Sequence, residues 1–189
     1  MQSTGQTSTH AVSFVPMQGS VMMNGMNVEL TQNVMDCETD AQRRATLIRL
    51  AFGDDEERFE QFLRTIREEI PRGTGVVVRG SAITGKRWSD GAPFDAEGPG
   101  TSDLDLTLVG NAVIGLFDVT GFFVPGMHSR PLSDEDPHIA PDLVPLRETL
   151  MAMTGRPVNI QASRVFVQQF RGEVLGQPYL TLIEPSTDS

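Results

Sequence analysis

Between Asp103 and Val109 polar and apolar residues alternate strictly, with Asp103, Asp105 and Thr107 on one side and Leu104, Leu106 and Leu108 on the other. Only an extended strand sends successive side chains to opposite faces, so this segment predicts a β-strand whose apolar face has to be covered by other elements. Val76-Val77-Val78, set off by Pro71, Gly73 and Gly75 on one side and Gly80 on the other, is a short unbroken apolar run and predicts a second strand, buried on both faces. Further strands are predicted at Ala112 to Phe117, Gly121 to Val124, Val158 to Ile160, Val165 to Val167 and Tyr179 to Ile183.

The cover for such a sheet is legible upstream. Asp40 is the expected N-cap of a helix carrying Leu47, Ile48 and Ala51 and closed by Gly53. Asp54 and Asp55 open a second helix, with Glu56 and Glu57 in its first turn, where negative charge suits the helix dipole. In that helix Phe59, Phe62, Leu63, Ile66 and Ile70 recur at helical spacing, leaving the other face acidic. A third helix is expected from Pro141 to Thr154, lined by Leu143, Leu146, Leu150 and Met153 and ended by Gly155. Helices and strands interleave, which predicts an α/β (α+β) domain with a small mixed sheet and helices packed mainly on one face.

At 189 residues the chain has room for one domain of ordinary size plus tails. Residues 1–38, rich in Ser, Thr, Gln and Gly with Met17, Met22, Met23, Met26 and Met35, are expected to form a partly disordered N-terminal tail in which Ala11 to Val15 could add an edge strand. The domain is expected over 39–185, with 186–189 as a C-terminal tail. A net charge of −10 opposes unaided binding to nucleic-acid backbones and favours a small substrate or a protein partner. Cys37 is the single cysteine, which excludes an intrachain disulfide and fits a reducing compartment. With no run near the roughly 18 apolar residues that span a bilayer, a cytoplasmic location without a membrane partner is expected.

The chemistry-bearing residues are Gly80, Ser81, Asp103 and Asp105. Two carboxylates at i and i+2 on a strand project from one face and repel each other, a conflict that a divalent cation relieves while keeping both ionised. A glycine leaving a buried strand lets the backbone approach a ligand closely, and amides at the start of a following helix, extended by the Ser81 hydroxyl, are expected to take up phosphate. On its own an Asp-x-Asp strand is most often a solvated face, and a lone glycine a turn. Their order within one chain is more specific.

Val78-Arg79-Gly80-Ser81 followed by Ser102-Asp103-Leu104-Asp105-Leu106 resembles the core signature of the polymerase-beta-type nucleotidyltransferase superfamily. The resemblance runs from about Asp55 to Ser163. It implies a triphosphate held at Gly80, Ser81 and Ser102, with Asp103 and Asp105 as catalytic ligands of Mg²⁺ or Mn²⁺. The implied reaction transfers a nucleoside monophosphate from a nucleoside triphosphate such as ATP to a hydroxyl acceptor. Such proteins grip the nucleobase with a helical region after the core; with few residues following Ser163, that role is expected of a protein partner, a second copy or the N-terminal tail.

The chain departs from the pattern twice. The loop from Lys86 to Gly100 is long, and the place of a third carboxylate, which would help activate the attacking hydroxyl, is taken by Asn159. An amide is no general base near neutral pH. Asp118 and the Asp134-Glu135-Asp136 run are the candidate substitutes. A non-catalytic nucleotide- or protein-binding relative is therefore the competing expectation, and a sugar-nucleotide glycosyltransferase a third, disfavoured because only one convincing strand precedes Asp103. Lys86 and Arg87 are expected to be solvating loop residues, Trp88 to pack, and His138 with Asp136 to be at best a weak metal pair.

Overall fold

The computed structural model describes residues 38–186. The expectations for the N-terminal tail, for Cys37 and for residues 187–189 lie outside the described residues. Within them the chain is a mixed α/β domain, as the patterning predicts.

Helix α1 (Asp40–Phe52) begins one residue earlier than expected, because Thr39 rather than Asp40 is the N-cap; its side chain accepts from the Gln42 amide and Gln42 returns a bond to the Thr39 amide. Gly53, at φ 67°, closes it in the left-handed conformation. Asp55 caps α2 (Glu56–Glu69) by accepting from Arg58 N. The apolar face of α2 packs on α1 through edge-on aromatic pairs, Phe52 with Phe59 and with Phe62, at ring separations of 5.2 and 5.1 Å.

Strand β1 (Gly75–Arg79) is followed by the one-turn helix α3 (Ser81–Thr84) and the long loop to β2 (Leu104–Val109). After the one-turn helix α4 (Asn111–Ile114) come β3 (Phe122–Val124) and β4 (His128–Ser129). A 3-10 turn at Pro141–Leu143 then leads into α5 (Val144–Thr154) and β5 (Val158–Ser163). Helix α6 (Val165–Gln169) continues as a wider π turn over Phe170–Val174, in which the Leu175 amide bonds the Phe170 carbonyl, and β6 (Tyr179–Ile183) ends the fold.

The strands form one sheet in the order β3-β4-β5-β2-β1-β6. Strand β2 is antiparallel to β1 and parallel to β5, so the expected sheet is mixed and no βαβ unit precedes Asp103. Val76, Val78, Leu104, Leu106, Leu108, Val158, Ile160, Leu180 and Leu182 share one core with the apolar faces of α1, α2 and α5. That is the helix-covered face.

Two strand expectations are corrected. Ala112 to Phe117 is not a strand but contains α4 and a turn, and Val165 to Val167 is helical. Short apolar runs carry no period of their own, and in both cases flanking context decides. The second correction matters, because Gln168 of α6 bonds Arg79 of β1 and Arg171 of the π turn bonds His128 of β4.

Among the described residues no helix is long and apolar enough to cross a membrane.

Candidate functional site

Strand register assembles the site. Arg79 of β1 lies opposite Asp105 of β2, Asp105 opposite Asn159 of β5, and Arg79 also opposite Tyr179 of β6. Residues paired across neighbouring strands point to the same side of a sheet, so Tyr179, Arg79, Asp105 and Asn159 form a transverse row on the face away from the three long helices. Asp103 stands two positions before Asp105 and joins the row from the strand's entry.

Asn159 ties the carboxylates together. Its Nδ2 donates to Asp103 Oδ2 at 2.9 Å and to Asp105 Oδ1 at 3.1 Å. The side chain at the place of the expected third carboxylate thus faces both aspartates and supplies the partial positive charge that holds them together. Burial pushes the Asp105 carboxyl above its ordinary value and the charge of Asp103 adds to this; the Asn159 bond and the charge of Arg171 only partly offset them.

Gly80 brings the backbone of the turn after β1 against the same carboxylate. Its φ of 79° and ψ of −159° belong to a region that only glycine occupies readily, and a Cβ there would stand 2.9 Å from Asp105 Oδ2. The expected helix start at Ser81 is present, but α3 spans one turn, so little helix dipole stands behind it. What remains for an anion is the Ser81 and Ala82 amides, since the Ile83 amide already bonds the Gly80 carbonyl, and the Ser81 hydroxyl.

Two cavities meet at Gly80, Trp88 and Asp105. The larger, about 510 Å³, lies over Ser81, Arg87, Thr101, Ser102 and Asp103. The smaller, about 250 Å³, is lined by Arg79, Thr84, Lys86, Arg171 and Gln177. The Gly-Ser turn and both aspartates border one space, the first. Ser102 contributes to its wall while its hydroxyl accepts from the Asp95 amide.

The long loop is pinned rather than loose. Asp95, at φ 56°, accepts from the Gly100 and Ser102 amides and from the Arg156 guanidinium, which also stacks 4.5 Å from the Phe94 ring centroid. Burial raises the Asp95 carboxyl, but the Arg156 and backbone bonds outweigh it and leave the group below its ordinary value. Anchored this way, the loop carries Trp88, which is 80% exposed and borders both cavities, against the expectation that it packs. Arg87 pairs with Glu97 and Asp90, whereas Lys86 borders the smaller cavity.

The substitute acids are engaged elsewhere. Asp134 pairs with Arg147, Asp136 with Arg130, and Asp118 accepts from Thr120 within its own turn. None borders either cavity. Among the described residues no group of three or more His, Cys, Asp or Glu side chains gathers to hold a metal, the His138–Asp136 pair included. Asp103 and Asp105 form a pair.

Sequence reasoning missed Arg79, Gln168 and Arg171. Arg79 is 7% exposed, donates from Nη2 to Gln168 Oε1 at 2.6 Å and lies 5.4 Å from the Tyr179 ring centroid. Burial, and then the charge of Arg171, lower its pKa to about 10, so it stays protonated at neutral pH. Arg171 Nη1 is 3.1 Å from His128 Nε2; a guanidinium only donates, which puts the imidazole lone pair on Nε2. The only sequence signal was Arg79 itself, a charge inside an otherwise buried strand.

His128 makes this cluster sensitive to acid. Burial and the neighbouring Arg171 hold its pKa down to about 4, against an ordinary value of 6.5. The unfolded chain therefore takes up this proton first, and folding stability should fall as pH drops from 6.5 toward about 4. Melting temperatures across that window test this. A His128→Gln variant with the same slope as the parent would contradict it.

Comparison with family models, with curated proteins and with solved structures finds no match to this chain.

Proposed function

We propose that the chain is a metal-dependent nucleotidyltransferase of the polymerase-beta type. The observation that carries the reading is the convergence of Gly80, Asp103, Asp105 and Asn159 at one end of the sheet, the first three bordering one cavity. The donor set suits Mg²⁺ or Mn²⁺. Two carboxylates offer hard oxygens, and a half-turn of the Asn159 amide exchanges its NH₂ for Oδ1, a third. When bound, the cation would neutralise phosphate charge and polarise the α-phosphorus.

The residues of the chain do the positioning. The Gly80–Ser81 backbone and the Ser81 hydroxyl hold phosphate oxygens, Asp103 and Asp105 hold the cation, and the exposed Trp88 ring offers a stacking face for a base. The acceptor oxygen forms a bond to the α-phosphorus, the bond to pyrophosphate breaks, and the acceptor proton passes to solvent. With Asn159 unable to take that proton, rate comes from positioning and charge neutralisation.

A second reading, a binding module without turnover, is favoured by Asn159. Incubation with ATP, Mg²⁺ or Mn²⁺, and glycerol as a hydroxyl acceptor separates the two. Pyrophosphate release that drops by at least about a hundredfold in Asp103→Asn supports the enzyme, since such clamps act where transition-state charge develops. Metal-dependent ATP binding without release supports the module. If ATP binding is indifferent to metal and to Asp103→Asn, both readings fail.

A further inference from the structure

The smaller cavity has a charge that the nucleotide reading does not use. Arg79, Lys86 and Arg171 border it, and among the described residues Asp105 is its one carboxylate. Arg79 is deeply buried; its Nε and Nη1, both shut off from solvent, have no hydrogen-bond partner among the described residues, and its one bond there goes to a neutral amide. Among the described residues no carboxylate pairs with it directly, so Arg79 acts on the cavity through its charge rather than through those donors. Arg171 is oriented from two sides, Nε by Gln177 Oε1 at 2.9 Å and Nη1 by His128; among the described residues Nη2 makes no protein hydrogen bond.

We infer that this cavity binds the phosphate monoester of the acceptor substrate, so that the second substrate is a small phosphorylated alcohol. Three cations against one carboxylate leave two positive charges, matching a phosphate monoester near neutral pH. The Arg171 guanidinium suits its oxygens because its plane is already oriented by Gln177 and His128 while Nη2 remains to donate. The volume of about 250 Å³ suits a phosphate carried on a short alcohol. Because the two cavities meet at Gly80 and Asp105, an alcohol anchored in the smaller one can present its hydroxyl to a nucleotide in the larger. The inference rests on the nucleotidyltransferase reading for the larger cavity. In the reaction the alcohol oxygen bonds the α-phosphorus, pyrophosphate leaves, the proton goes to solvent, and the anchoring phosphate is unchanged.

Trp88, the only tryptophan, borders both cavities and reports on each by fluorescence. The test titrates the full chain with glycerol phosphate and, separately, inorganic phosphate in EDTA, so that no cation can bridge them to the aspartates. A saturable change is expected with both, weakened roughly tenfold or more in Arg171→Gln and in the exposed Lys86→Gln, and undiminished by saturating Mg²⁺–ATP. Acetate should give no comparable change, which separates a phosphate site from a general anion site. Asp103→Asn should lose the Mg²⁺–ATP response and keep the phosphate response. No saturable phosphate response, no loss in either cation variant, or mutual exclusion of phosphate and Mg²⁺–ATP would each overturn the inference. If Mg²⁺–ATP still binds through Asp103 in such a case, the nucleotidyltransferase reading survives; loss of both responses removes both.

Discussion

Asn159→Asp is expected to lower the melting temperature in EDTA by roughly 8 °C and to recover most of that loss when Mg²⁺ is added. The amide donates to Asp103 and Asp105 at once, so the substitution removes two bonds to charged acceptors and inserts a third carboxylate between the first two. Hydrogen bonds to charged groups contribute about 1.5–3 kcal/mol each, and a kcal/mol moves the midpoint of a domain this size by about 2–4 °C. The newly adjacent carboxylates repel, and Asp105, already raised by burial, is pushed further toward its protonated form. A divalent cation leaves the two lost bonds lost but turns the repulsion into shared attraction and favours ionised Asp105. If the aspartates are a metal seat, the variant binds Mg²⁺ more tightly than the parent, and pyrophosphate release under the conditions above should rise. Thermal melts with and without Mg²⁺ check the first part. A destabilisation that Mg²⁺ leaves unchanged would sink the metal assignment, since three crowded carboxylates that refuse a cation are not a seat.

The second large effect is expected at Gly80. Alanine there must adopt φ 79° and ψ −159°, a conformation that costs about 1–3 kcal/mol outside glycine. Its Cβ would also meet Asp105 Oδ2 at 2.9 Å, and that carboxylate is held on its other oxygen by Asn159. Either Asp105 swings off Asn159 or the turn retreats from the strand. Both separate the two halves of the site. Gly85 is the control, because it too has positive φ, 71°, yet a Cβ there meets nothing within 4 Å. Gly80→Ala should melt below Gly85→Ala and lose Mg²⁺-dependent nucleotide binding, whereas Gly85→Ala should keep it. Equal melting points with equal binding would mean that the approach of Gly80 to Asp105 is immaterial.

Sequence reasoning reached different depths in different parts of the molecule, for physical reasons. The alternation from Leu104 to Val109 and the helical spacing from Phe59 to Ile66 are long enough to express their periods, and both elements form where expected. Val165 to Val167 is three residues of β-branched and aromatic character, a run that suits a strand as readily as the turn of helix it becomes. Thr39 displaced Asp40 as a cap because its hydroxyl and Gln42 complete a reciprocal pair. The clasp of Asp95 on Arg156 joins residues 61 positions apart, and no local pattern announces such a pairing.

The order and chemistry of Gly80, Ser81, Asp103 and Asp105 are properties of the chain itself, because strand periodicity puts two carboxylates at i and i+2 on one side whatever surrounds them. So are the mixed α/β class and the cover of helices, which follow from apolar periods of 2 and 3.6 residues in alternating segments. Which residues join those carboxylates was decided only in three dimensions. Register between β2 and β5 put Asn159 across from Asp105, pairing of β1 with β2 put Arg79 on its other side, and the π turn after α6 delivered Arg171. Strand pairing and helix docking are long-range choices, made by burial of the shared core rather than by any neighbouring residue.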